Sequence, residues 1–142
     1  MDEARAIIEQ LDLAPHPEGG WYREMWRAPA AGDARSAGTA ILFLLEAGQR
    51  SHWHRVDADE LWLWHAGSPL ELQIGGEAGG VERLPLGNDV LAGQSPQLRV
   101  PAGRWQATEA PQGWGLVSCV VVPGFDFAGF ELAAPGWAPP GH

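Results

Sequence analysis

The sequence contains a single cysteine and no lysine. One thiol, Cys119, excludes an internal disulfide and a cysteine-based zinc site, and its apolar surroundings at 116–122 predict a buried, inert side chain. Without lysine, and with no helix predicted to follow, the glycine-rich segment 75–80 is not a phosphate-binding loop. No stretch approaches the roughly 20 apolar residues of a membrane-spanning helix.

Positive charge is also scarce. Nine basic residues, all arginine, face eighteen acidic ones, and the net charge is −9. This charge repels nucleic-acid phosphates and anionic membrane surfaces, so neither is an expected partner. The first residues lack the basic, apolar start of a signal peptide, so we expect a cytoplasmic protein.

A length of 142 residues fits one domain with a sizeable core. We therefore predict a single domain over residues 1–134. Residues 135–142 contain three prolines and two glycines, and this composition predicts a loose C-terminal tail.

The predicted elements are one short helix followed by strands and turns. Residues 2–11 carry apolar side chains at helical spacing, and the prolines at 15 and 17 exclude further helix. Short strands punctuated by Gly and Pro then recur every 8–12 residues, which indicates an all-β sandwich or barrel. The glycine-rich 75–80 segment predicts a hairpin, and 51–54 is expected to pair with 60–64 around a turn at 57–59. The predicted strands are 39–45, 51–54, 60–64, 70–74, 81–86, 97–100, 105–108 and 116–122, with 126–132 closing the series.

A histidine and carboxylate pattern lies in the second predicted strand pair. Alternate side chains of a strand share a face, so His52 and His54 are expected to point the same way. Glu60 follows a tight turn and is expected to return to that face on the paired strand. Two imidazoles and a carboxylate suit a divalent metal such as Mn, Fe, Ni or Zn, with open positions for a substrate.

A second polar element follows about 40 residues later, at Pro101, Gly103 and Gln106. Together with the histidine segment it resembles the two motifs of the cupin superfamily. Gln106 stands where metal-binding cupins place a fourth ligand, a histidine, and its amide oxygen is a weaker donor to late transition metals. The remaining groups are compatible with a metal site or with a metal-free hydrogen-bonding and acid–base cluster.

Four segments narrow the resemblance: 15–24 (PHPEGGWYRE), 53–62 (WHRVDADELW), 100–106 (VPAGRWQ) and 122–127 (VPGFDF). In this order they resemble cupin family five, a group of small single-domain cupins. The resemblance implies an antiparallel jelly-roll barrel, usually a homodimer, shaped like deoxysugar epimerases and plant storage proteins. It does not imply one reaction.

The leading hypothesis is a small-molecule ligand held inside the barrel. We expect Arg50, Trp62, Trp64 and Gln106 to contact it, and Arg50 or Arg55 to hold any carboxylate or phosphate. In an isomerase or epimerase acting on a sugar-like or carbonyl substrate, His54 would be the general base, poised by Glu60, and Tyr22 the acid. The alternatives are a metal-dependent dioxygenase or isomerase and a non-catalytic binding or sensing module. The metal set would be His52, His54, Glu60 and Gln106.

The remaining histidines and the remaining tryptophan of these motifs have predicted structural roles. His16 is expected to shape its proline-rich turn. Alternation places His65 on the face opposite Glu60, and Trp53 away from the histidines, in the inter-sheet core or at a dimer contact.

Overall fold

The structure, a computed structural model, describes residues 2–76 and 79–142. Its one α-helix, α1, spans Glu3–Leu11. The helix begins where the Asp2 side chain accepts a hydrogen bond from the Arg5 backbone N–H at 2.8 Å, and it ends at Asp12, which adopts a left-handed conformation. Ala4 and Ile8 are buried against the barrel. The predicted helix is confirmed.

Eleven strands follow among the described residues, with two short 3₁₀ segments at Val90–Ala92 and Phe127–Gly129. The last strand is shorter than predicted because the Phe127–Gly129 turn occupies its first half. The strands are β1 (Ala14–Pro15), β2 (Trp21–Arg27), β3 (Thr39–Leu45), β4 (Arg50–Val56), β5 (Asp59–Gly67), β6 (Leu70–Gly75), β7 (Val81–Leu86), β8 (Gln97–Val100), β9 (Trp105–Glu109), β10 (Gly115–Val122) and β11 (Phe130–Leu132).

The strands form two antiparallel sheets that pack face to face as a jelly roll. The first sheet has the order β1-β2-β3-β10-β5-β8, and the second has the order β11-β4-β9-β6-β7. Between them lies an apolar core that includes Phe43, Trp62, Leu72 and Val117, all at most 1% exposed. The expected all-β barrel is confirmed.

The predicted pairing of the histidine strand with the Glu60 strand is wrong. β4 belongs to the second sheet and β5 to the first, so residues 57–58 cross between the sheets instead of forming a hairpin. His54 and Glu60 therefore approach one another across the barrel interior. The hairpin of β6 and β7 is confirmed by its register, Gly75 opposite Val81, although Glu77 and Ala78 of its connection lie outside the described residues.

The C-terminal segment 135–142, predicted to be loose, packs on the outer side of the second sheet. Trp137 lies 4.7 Å from Trp105 between ring centroids, and His142 lies 5.6 Å from Trp53. Pro139 is buried. Trp53, predicted in the inter-sheet core or at a dimer contact, is instead buried beneath this segment. Proline and glycine exclude regular strand pairing but do not prevent packing.

Within residues 2–76 and 79–142, no helix is long and apolar enough to cross a membrane.

Candidate functional site

A cavity of about 220 Å³ opens into one half of the barrel interior. Ionisable side chains line its inner part, and phenylalanine rings with aliphatic side chains form its walls. The described lining residues are His16, Glu18, Tyr22, Glu24, Arg27, Thr39, Ile41, His54, Val56, Glu60, Val121, Phe125, Phe127 and Phe130.

The loop between β1 and β2 carries two of these ionisable groups into the barrel. Gly19 and Gly20 both adopt positive φ angles, 106° and 84°, which side-chain-bearing residues rarely adopt. A Cβ at Gly19 would also overlap the Arg50 carbonyl oxygen. The His16 N–H donates to the Gly20 carbonyl oxygen at 2.9 Å, closing the turn. This tight turn aims the His16 and Glu18 side chains inward, leaving them 5% and 9% exposed.

The Glu18 carboxyl contacts three of the polar side chains around it. One carboxyl oxygen, Oε2, accepts from the Ser51 hydroxyl and lies 3.1 Å from His54 Nδ1. The other, Oε1, lies 3.2 Å from His16 Nδ1. Burial raises the pKa of Glu18 to about 8, with the Ser51 hydrogen bond opposing the shift. At neutral pH this carboxyl is therefore mainly protonated and uncharged.

The orientation of His54 follows from its backbone contact. Nδ1 lies 2.8 Å from the His52 carbonyl oxygen, and because a carbonyl only accepts, Nδ1 carries the proton. Nε2 is then the basic nitrogen of the neutral ring. Burial lowers the pKa of His54, while the Glu60 carboxylate acts in the opposite direction.

Glu60 faces His54 from the first sheet and is 6% exposed. The Gln106 amide donates to Glu60 Oε1 at 2.9 Å, and the Cys119 thiol also hydrogen-bonds the carboxyl. Burial raises the pKa of Glu60 to about 7, opposed chiefly by the charge of His54. A carboxyl with this pKa exchanges protons readily at neutral pH.

The orientation of the Gln106 side chain is fixed by a hydrogen bond from a core residue. The Trp62 indole N–H donates to Gln106 Oε1 at 3.0 Å. An indole nitrogen only donates, so this contact requires the amide oxygen to face Trp62 and the NH₂ group to face Glu60. Gln106 therefore positions the Glu60 carboxyl, and its oxygen already has a partner.

His16 and Tyr22 complete the inner end of the cavity. Their rings meet edge to face with centroids 4.5 Å apart. The Glu18 backbone N–H donates to His16 Nδ1 at 3.1 Å, which places the proton of a neutral His16 ring on Nε2. Burial, with the neighbouring His54, lowers the pKa of His16 to about 4, so the ring is neutral across the physiological range.

The prediction that His52 shares a face with His54 is wrong. The register of β4 against β9 shifts between Ser51 and His54, a bulge that breaks strict alternation. His52 Nε2 instead contacts the Ala134 carbonyl oxygen at 3.0 Å, next to the C-terminal segment. His52 is not among the described residues that line the cavity.

The predicted metal set of His52, His54, Glu60 and Gln106 therefore does not assemble. His52 points elsewhere, and the Gln106 oxygen is occupied by Trp62. In the part of the chain that is described, no group of three or more His, Cys, Asp or Glu side chains is arranged to hold a metal ion. The donor set does not fit the metal centre that the fold family implies.

The arginines and tryptophans predicted to bind the ligand lie elsewhere. Arg50 packs over the Trp53 ring on the outer side of the second sheet and pairs with Glu109. Arg55 stacks on Trp105, 4.6 Å from the ring centroid. Each arginine lies outside the bulge, next to an inward side chain: Arg50 precedes Ser51 and Arg55 follows His54. Both arginines therefore point outward.

Trp62 and Trp64 face inward with Glu60, but as core residues. Trp62 is 1% exposed, and the Trp64 indole N–H donates to the Ser68 carbonyl oxygen at 3.1 Å. Neither is among the described lining residues. His65 is exposed on the outer face, where it contacts the Ser118 hydroxyl at 2.6 Å, as alternation predicts.

Sequence reasoning missed Glu18 and underrated His16. Both lie in a proline-rich loop, where no strand alternation predicts the direction of a side chain. The available signal was the Glu18-Gly19-Gly20 sequence, since paired glycines permit the turn that inserts the loop into the barrel.

The comparisons with known proteins agree with this geometry. A jelly-roll barrel holding a polar cluster between its sheets defines the chain as a cupin. The family model described as "Cupin superfamily (DUF985)" matches residues 5–133, and the chain belongs to this family. A search of curated proteins finds no match.

Two solved structures are similar over nearly the whole chain. A protein from Shewanella oneidensis has 40% sequence identity and a TM-score of 0.88, over 94% of this chain and 86% of that one. A hypothetical protein from Leishmania major has 35% identity and a TM-score of 0.86, over 94% and 88%. An oxalate decarboxylase of Bacillus subtilis has a TM-score of 0.66 at 15% identity, over 87% of this chain and 31% of that enzyme. The last similarity shows a shared fold alone.

Proposed function

We propose that this cupin binds a small hydroxy-carbonyl compound in the barrel cavity and moves a proton on it, as an isomerase or epimerase. The observation that carries the proposal is the convergence of His16, Glu18, His54 and Glu60 on one cavity. Burying four ionisable groups together costs free energy. Such clusters are characteristic of sites where proton transfer takes place.

His54 is the proposed general base. Its Nδ1–H is fixed by the His52 carbonyl oxygen, so Nε2 is available to accept a proton. The Glu60 carboxyl stabilises the imidazolium that forms, because it faces the ring from the opposite sheet. This is the role that a carboxylate plays beside a catalytic histidine.

The proposed acid is Glu18 or Tyr22. In the proposed step, His54 Nε2 takes the proton from the carbon next to the carbonyl, and the electron pair moves onto the carbonyl oxygen. The acid donates a proton to that oxygen, giving an enediol. The isomer forms when the proton returns to the former carbonyl carbon and the hydroxyl on the other enediol carbon gives its proton to the deprotonated acid. The epimer forms when a proton from solvent reaches the original carbon from the opposite face, while the new hydroxyl returns its proton to the acid and His54 releases its proton to solvent. Glu18 suits the donor role because burial holds its pKa near 8.

Exchange of carbon-bound hydrogen with solvent tests the proposal. The protein would be incubated in D₂O with aldoses and ketoses of three to six carbons, and loss of the proton signal next to the carbonyl followed by NMR. We expect wild-type protein to catalyse exchange, and His54→Gln and Glu60→Gln to slow it by at least about 100-fold. His65→Gln and Glu109→Gln are matched controls on the outer faces and should exchange like wild type.

The same experiment separates catalysis from binding alone. Sugars that bind without any exchange would favour the non-catalytic binding module and contradict the enzyme proposal. Exchange that survives both substitutions would remove His54 and Glu60 from the mechanism.

We also infer that the protein is a cytoplasmic homodimer, as the family resemblance and composition predict. Support for a dimer comes from the half-exposed side chains of Trp26 and Val122, which both lie beside Gly38 on the first sheet, since neighbouring exposed apolar side chains mark interfaces.

A further inference from the structure

We infer that the cavity selects uncharged hydroxy-carbonyl compounds, such as free aldoses, and rejects the corresponding carboxylates. This inference rests on the proposed function and specifies its substrate class. The charged groups that line the cavity, and the ion pairs they already form, determine this selectivity.

The inner end of the cavity offers no cation to an anionic ligand. Glu18 and Glu60 lie there with two buried histidines. His16 is neutral, and its Nδ1 already accepts the Glu18 backbone N–H. A ligand carboxylate beside His54 would therefore face the Glu60 carboxyl, which is partly ionised at neutral pH because its pKa is about 7. None of the described groups at this end of the cavity supplies a fixed positive charge to offset that repulsion.

Arg27 is the one arginine among the described lining residues, and it already has a partner. Its Nε and one terminal nitrogen donate to the two carboxylate oxygens of Glu24, at 3.3 and 2.6 Å. In a regular strand these residues, three positions apart, would point to opposite faces. A bulge between Glu24 and Trp26 brings them to the same side.

This pairing neutralises the rim of the cavity. The Arg27 and Glu24 side chains are 46% and 39% exposed, so they lie at the solvent-facing end and not at the buried cluster. The Glu24 carboxylate occupies the Nε edge of the Arg27 guanidinium in a bidentate contact and offsets its charge, which weakens the attraction of Arg27 for a ligand carboxylate. Glu24 therefore competes with anionic ligands for the Arg27 guanidinium.

The wall of the cavity adds to the selection. Phe125, Phe127 and Phe130 pack edge to face, with centroids 4.8 to 5.9 Å apart. Rings of this kind contact the C–H face of a neutral sugar but cannot solvate a charge. A volume of about 220 Å³ lies below the range of about 300–1,000 Å³ of drug-sized sites, which suits a ligand of few non-hydrogen atoms.

Matched pairs of a sugar and its acid test the inference. The probes are glyceraldehyde and glycerate, erythrose and erythronate, and xylose and xylonate, titrated at pH 7.5 with ligand-observed NMR. Within each pair that binds, we expect wild-type protein to bind the sugar at least 10-fold more tightly. Glu24→Gln should strengthen carboxylate binding at least 5-fold, because it frees Arg27, and so narrow the difference between each sugar and its acid.

Glu131→Gln is the matched control. It removes the same charge from an arginine pair on the outer side of the barrel, where Glu131 contacts Arg55, and should change neither affinity. Carboxylates that bind wild type as tightly as their sugars would overturn the inference while leaving the proposed site intact. Glu24→Gln without effect on carboxylates would also overturn it, since Glu24 would then not be the competitor. Absence of binding by every probe would contradict the proposed function itself.

Discussion

The interior of this barrel has two halves that are equally buried but chemically opposite. One half is an apolar core around Phe43, Leu72 and Val117. The other half holds ionisable groups around a cavity. The two halves meet between Glu60 and Trp62, which are consecutive inward-facing residues of β5. Their exposed fractions are 6% and 1%. Burial alone therefore does not distinguish them, and the difference lies in their partners.

Each apolar side chain of the first half is satisfied by contact with its neighbours, whereas each polar group of the second half needs a defined hydrogen-bond partner. The Glu18 carboxyl, for example, has its partners in Ser51, His16 and His54. Well-packed apolar residues often replace such clusters without loss of stability. The proposed ligand site therefore explains the polar half better than a role in folding does.

Gln106 joins the two halves. It accepts from a core tryptophan and donates to the cavity carboxyl, so the rigidity of the core is transmitted to Glu60. In this chain the Gln106 amide holds the Glu60 carboxyl in place by a hydrogen bond.

The largest expected contrast comes from one substitution in each half. Leu72→Ala removes a fully buried core side chain and should destabilise the protein by about 2–5 kcal/mol, while leaving the solvent-exchange activity intact at temperatures where the variant is folded. Glu60→Gln keeps the shape of its side chain and should change the free energy of unfolding by less than about 1 kcal/mol, while abolishing exchange. Urea unfolding and NMR exchange on the same samples measure both. If Glu60→Gln destabilised the protein as much as Leu72→Ala, the carboxyl would be structural.

A smaller effect is expected at the boundary. Gln106→Leu leaves the Trp62 indole N–H without an acceptor and Glu60 without a donor, which should cost about 1–3 kcal/mol. Trp62→Phe in the same background removes the orphaned N–H, so the double variant should lose less than the sum of the single substitutions. Urea unfolding of the four proteins gives the coupling energy. Strict additivity would show that the Trp62–Gln106 contact contributes nothing.

Much of the fold could be predicted from the sequence, because strand patterns and Gly/Pro punctuation are local signals. The helix, the β6–β7 hairpin and the barrel class all follow from them. The pairing of β4 with β5 could not, since a short turn can join neighbouring strands or cross between two sheets. The tail could not either, because its packing depends on the distant Trp53 and Trp105 surfaces.

For the candidate site, the sequence pointed to His54, Glu60 and Gln106, which the structure brings together, and to Tyr22, which lines the cavity. It placed His52 there wrongly because a bulge leaves no signature in the His52-Trp53-His54 pattern. It overlooked Glu18 because the direction of a loop side chain depends on the tertiary contacts of the loop.

The proposed proton transfer depends most on buried carboxyls that still bind protons in the folded protein near neutral pH. An unfolded glutamate releases its proton near pH 4.5, whereas Glu18 and Glu60 have pKa values of about 8 and 7. Between these values the folded chain binds more protons, so its stability falls as the pH rises. His16 and His54 act oppositely, since their lowered pKa values make stability rise with pH, but only up to about 6.5.

Above pH 6.5 the opposing histidine effect fades and the carboxyl effect is the larger of the two, so this interval gives the most direct test. Urea unfolding of wild type from pH 6.5 to 8 should show a loss of about 1–2 kcal/mol. Glu18→Gln should remove most of this loss. A stability that stays constant or rises across this interval, or an equal loss in Glu18→Gln, would contradict the account.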